Sequence, residues 1–68
     1  MTRFIEIINN TLILKKQVLE QELEEIINNK KGSVEDRVTD AIKILGKLSK
    51  TDNAKEILDS YINNNNNK

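Results

Sequence analysis

The stretch Phe4–Ile27, FIEIINNTLILKKQVLEQELEEII, decides the fold. Ile5, Leu12, Leu19 and Ile26 recur every seven residues, and Ile8, Leu23 and Ile27 widen the stripe they make on a helix. Ile7, Leu14 and Val18 fall on a second, separate face. One apolar stripe can be buried against the rest of the same chain, but a second stripe needs a partner. In a chain of 68 residues the nearest partner is another copy. Phe4, Ile7, Ile8, Leu14 and Val18 are therefore the expected oligomer or partner interface.

The seven-residue repeat does not by itself make a zipper. Counting three residues on from each member of the repeat gives Ile8, Lys15, Glu22 and Asn29, of which only the first is apolar. An extended two-stranded coiled coil is not expected from that set, and a small bundle sharing the long helix fits better.

Outside this stretch Pro is absent, Gly occurs only at Gly32 and Gly46, and helical spacing recurs throughout. The spacing predicts an all-α chain with helices at about 3–29, 34–48 and 53–62, a single domain over 1–62, and a disordered Asn-rich tail over 63–68. Thr2 is a candidate N-cap for the first helix. Asn28, Asn29, Lys30 and Lys31 weaken its end, and Gly32 suits the left-handed position beyond it. Ser33 can cap the second helix through the N–H of Asp36, with Glu35 and Asp36 at the positive end of its dipole.

The second helix is expected to bury Val34, Val38, Ala41, Ile42, Leu45 and Leu48, with Ile44 off that stripe. Thr51, Asp52 and Asn53 read as the start of a third helix, Glu56 reaching back to Asn53. Ala54, Ile57, Leu58, Tyr61 and Ile62 would form its apolar face, with the Tyr61 hydroxyl at the core rim. The two short helices would either lie end to end along the first or fold back as a hairpin.

Composition narrows the chemistry. Apolar residues make up 37% of the chain and the only aromatics are Phe4 and Tyr61, which is too little for a comfortable single core. With no Cys or His, a disulfide or structural zinc cannot supplement it. Oligomerisation is the route left, as a homodimer or higher oligomer. Ile, Asn and Lys dominate, as in proteins of AT-rich genomes, phages among them.

Catalysis has few tools in this sequence. There is no His to shuttle protons and no Cys nucleophile, and Ser33, Ser49 and Ser60 have no local base. The acidic block Glu20, Glu22, Glu24 and Glu25 lacks the Glu-x-x-His pattern of di-iron bundles and the alternating ligands of a calcium loop. A solvated helix face explains it with fewer assumptions, so neither an enzyme nor a cofactor is expected. A lone Gly46 with no preceding strand does not make a phosphate loop.

Nucleic acid is the chief rival partner. Lys43, Lys47 and Lys50 lie at i, i+4 and i+7, spaced to touch phosphates. Against this, net charge is zero, Asp52, Glu56 and Asp59 follow at the same spacing, and no aromatic lies near the lysines to stack on a base. A helix-turn-helix register with Gly46 in the turn would place Asp52 where an apolar residue is needed. A membrane-surface role for the first fourteen residues finds only Arg3, Lys15 and Lys16 to meet lipid headgroups. No secretory h-region is expected, because Glu6, Asn9 and Asn10 interrupt the early apolar run, and the expected setting is the cytoplasm. The function expected is therefore non-enzymatic: a self-associating helical module that docks an unidentified protein partner. A nucleic-acid-binding regulator and a structural assembly subunit are the alternatives.

Overall fold

A computed structural model of the chain describes residues 2–29 and 31–66, with side chains from 3 to 63. Among these residues the fold is all-helical. Helix α1 spans Thr2–Asn28 and helix α2 spans Val34–Asn66. The expected third helix does not exist as a separate element, because α2 runs unbroken for 33 residues through Thr51, Asp52 and Asn53. The two short elements are thus one, lying along α1. Its backbone continues to Asn66, beyond the expected end at 62. The Thr2 side chain, Lys30, Asn67 and Lys68 lie outside the described residues, so the capping and tail readings made for them are not addressed.

The turn follows the local chemistry of its residues. α1 closes with a bond from the Asn29 N–H to the Glu25 carbonyl, and the Asn29 side chain then accepts from the Lys31 N–H at 3.1 Å. Gly32 has φ near 90°, the left-handed region where a Cβ is strained. Ser33 Oγ accepts from the Asp36 N–H at 3.1 Å, as an N-cap does, and Glu35 and Asp36 occupy the first turn of α2. One further residue ties the turn down. Arg37 Nη2 donates to the carbonyls of Ile26 and Ile27, at 3.2 and 3.1 Å. Those oxygens belong to the last turn of α1, where intrahelical partners run out and the dipole is negative.

The helices pack as an antiparallel rod of 53 × 16 × 13 Å. Lys16 pairs with Asp52, Leu12 and Leu19 share a groove with Thr51 and Ala54, and Ile26 lies beside Ile44. The partly or fully buried positions of α1 are Ile5, Asn9, Leu12, Lys16, Leu19, Leu23 and Ile26, with Ile8 in addition. In α2 they are Arg37, Ala41, Ile44, Leu48, Thr51, Lys55, Leu58 and Ile62. Both series step by alternating fours and threes, the repeat of a coiled-coil seam. The companion positions of the repeat are therefore Asn9, Lys16 and Leu23, four residues on. Counting three on, to Ile8, Lys15, Glu22 and Asn29, misses this intramolecular seam.

The seam is mixed in character. Leu19 and Ile44, 6% and 8% exposed, are its buried apolar residues, joined by Thr51, whose hydroxyl donates to the Lys47 carbonyl. Lys16 and Lys55 carry their stems along the seam and their ammonium groups to its edge, on Asp52 and Asp59 at 2.9 and 2.8 Å. The Oδ1 of Asn9 and the Nε of Arg37 are buried without a hydrogen-bond partner. The expected core of the second helix is corrected: Ile44 is buried, while Val34, Val38, Ile42 and Leu45 are exposed. Ile27 is likewise exposed rather than part of the buried stripe.

Candidate interaction surface

What remains outside the seam is unusually apolar. Phe4, Ile7, Leu14 and Val18 are 64, 54, 62 and 48% exposed on the outer side of α1. With Thr11 they form the series 4, 7, 11, 14, 18, which has the same three-four alternation as the seam but lies on a separate face. Thr11 turns its hydroxyl onto the Ile7 carbonyl at 2.7 Å, leaving its methyl to the surface. Ile8, partly buried, stands between this face and the seam. Of the five residues expected at an interface, four are thus open to contact and Ile8 is half committed to α2.

A second apolar surface lies towards the turn, on α2. Val34, Val38, Ile42 and Leu45 are all at least half exposed, and Ile27 on α1 is exposed at the same end. Ala41 and Leu48 belong both to this series and to the seam, so the first half of α2 is apolar on two adjoining sides. Ile57 and Tyr61 are exposed towards the other end, while their neighbours Leu58 and Ile62 turn inward.

Charge is arranged around these faces. The Asp52 carboxylate, hydrogen-bonded to Lys16, holds that ammonium above its ordinary 10.5 through the bond and then through its charge. Partial burial opposes the shift, and Glu20 adds a smaller push in the same direction as Asp52. Lys43, Lys47 and Lys50 are exposed, as a phosphate-contacting stripe would require. Lys47 and Lys50 share an open groove with Lys15, but Glu22 lies in the same groove. Among the described residues no group of three or more acidic side chains is placed to hold a metal ion, and no helix is long and apolar enough to cross a membrane.

Three features escaped the sequence reading: Arg37 as the tie across the turn, Asn9 in the seam, and the Lys16–Asp52 pair. The signal that finds Asn9 and Lys16 is the step of four from Ile5 and Leu12, which lands on polar residues.

The class this defines is an antiparallel two-helix hairpin with uncovered apolar faces. Comparison with protein-family models, curated proteins and solved structures found no match.

Proposed function

We propose that this chain is a non-enzymatic, self-associating helical interaction module, a small adaptor, inhibitor or regulator of a larger protein complex. The observation that carries this reading is the amount of apolar surface the hairpin leaves uncovered. Among the described residues two apolar ones are buried, against twelve large ones that are exposed. The accessible area is 5722 Å². A globular monomer of 7.8 kDa would expose about 4,400 Å². The excess of roughly 1,300 Å² counts polar and apolar surface together and reflects the thinness of the rod, beside the about 800 Å² that each partner covers in a standard interface. Apolar anchors would supply affinity, and segregated charge would set orientation.

Absolute mass by light scattering, over a wide concentration range, tests the self-association. The parent chain should give a stable dimer or higher oligomer. Leu14→Glu should weaken assembly more than Leu45→Ala does, because it places a charge in the middle of the outer face of α1. An oligomer that tolerates Leu14→Glu removes that face from the interface.

A further inference from the structure

We infer that the second copy lies antiparallel on the outer face of α1, an inference that rests on the self-association proposed above. Three observations lead there. The first is periodicity: Phe4, Ile7, Thr11, Leu14 and Val18 alternate threes and fours, so a straight partner helix can follow them for two heptads. Continuing the series reaches Gln21, where the apolar character stops. An antiparallel copy in register sets Ile7 against Val18, Thr11 against Leu14 and Phe4 against Gln21, each pair occurring twice about the two-fold axis. This register brings the four exposed apolar residues of the outer face, Phe4, Ile7, Leu14 and Val18, into the contact.

The second observation is charge. In α1 the cations Arg3, Lys15 and Lys16 lie in the first two thirds, opposed there by Glu6 alone. Glu20, Glu22, Glu24 and Glu25, all exposed, fill the last third. A parallel copy would bring the two acidic blocks together at one end. An antiparallel copy separates the two blocks and sets each beside residues 1–5 of its partner, where Arg3 is the one charged side chain, and the helix dipoles are opposed as well. Flanking positions agree: on the same side of the contact Arg3 comes within two residues of level with Glu24, and Asn10 with Gln17, with no like charges facing. Both Arg3 and Glu24 are exposed and available for this contact. The third observation is exposure, since the outer face supplies four of the twelve large exposed apolar side chains found among the described residues.

The chain has no cysteine, so single introduced thiols report geometry cleanly. Ile7→Cys and Val18→Cys variants are oxidised separately and as an equal mixture, alongside mass measurement of the parent. The expected result is a mixed disulfide in the mixture and little or none in either variant alone. In this register two copies of residue 7 stand eleven residues apart along the axis, roughly 16 Å. That is well beyond the about 7 Å limit between Cα atoms for a disulfide. Disulfides formed by each variant with itself would mean a parallel pair and overturn the proposal. A dimeric parent with no disulfide in any tube would overturn the assigned face while leaving self-association standing. A parent that is monomeric throughout would overturn both. A charge reversal supplies an independent readout. Arg3→Glu and Glu24→Arg should each weaken dimerisation, about three- to tenfold, and together restore it. Reversals that simply add, with no restoration, would rule out the Arg3–Glu24 register.

Discussion

At Asn9 the seam holds an amide whose Oδ1 is buried and unpartnered. An unpaired buried acceptor carries its desolvation cost with no compensating bond. Asn9→Leu should therefore raise stability by about 1–2 kcal/mol, or about 4–8 °C per kcal/mol in Tm, as read by thermal denaturation. Loss of stability instead would show that the amide has a partner in solution. Lys16 makes the opposite case, a polar seam residue that is fully engaged. Its ammonium is held above 10.5, so the protonated form is the one that folding favours. That contribution is complete at neutral pH and is lost as pH climbs above 10.5 through the folded value. Thermal melts at rising alkaline pH should show the parent losing stability over a window in which Lys16→Met, which keeps the stem, loses less. Equal losses would mean the pair contributes nothing measurable.

At the scale of the element, α2 is instructive because it contains Gly46 and an internal capping sequence yet does not break. A Cβ added at Gly46 meets nothing within 4 Å, so the residue neither admits a close neighbour within the hairpin nor ends the helix. Gly46→Ala should stabilise the protein by about 1 kcal/mol, measured by denaturant titration, since it removes only a helix-interior glycine penalty. A destabilised alanine variant would place something against Gly46 that the single chain lacks.

The turn between the helices was legible because its signals are local: Gly32 at positive φ and Ser33 bonded to Asp36 are decided by adjacent residues. The continuity of α2 was not. Thr51, Asp52 and Asn53 have the residue types of a helix start, and such a cap is worth about 1 kcal/mol. In the hairpin Thr51 is instead buried in the seam with its hydroxyl on Lys47, and Asp52 bridges to Lys16. The burial of Thr51 and the bridge from Asp52 depend on α1 and cannot be seen in the segment alone. The same dependence exchanged the roles of Ile44 and the Val34–Leu45 series. Both lie on apolar faces of α2, and only the approach of α1 selects which is covered. The outer face of α1 was readable for the complementary reason: its apolar residues stand apart from the seven-residue stripe that faces α2.

Taken whole, the molecule is a rod 53 Å long and 13 to 16 Å across in which nearly every side chain touches solvent somewhere. A cross-section two helices wide has no interior in which a residue can be surrounded on all sides, and that is why, among the described residues, only Leu19, Ile44 and Thr51 are buried. Such a hairpin is marginal alone, because ordering the chain costs nearly as much as so thin a core returns. If assembly covers the outer face of α1, the free energy of folding becomes linked to protein concentration. A hundredfold excess over the dissociation constant adds about 2.7 kcal/mol. The melting midpoint of the parent should then climb on the order of 10 °C across a hundredfold concentration range spanning that constant. Leu14→Glu should lower the midpoint at high concentration and flatten its dependence, while Leu45→Ala should keep the slope. A parent whose midpoint stays constant with concentration, and whose mass is that of one chain, would mean that the hairpin is stable with Phe4, Ile7, Leu14 and Val18 in water. In that outcome the outer face of α1 is free for a different protein, and self-association is withdrawn.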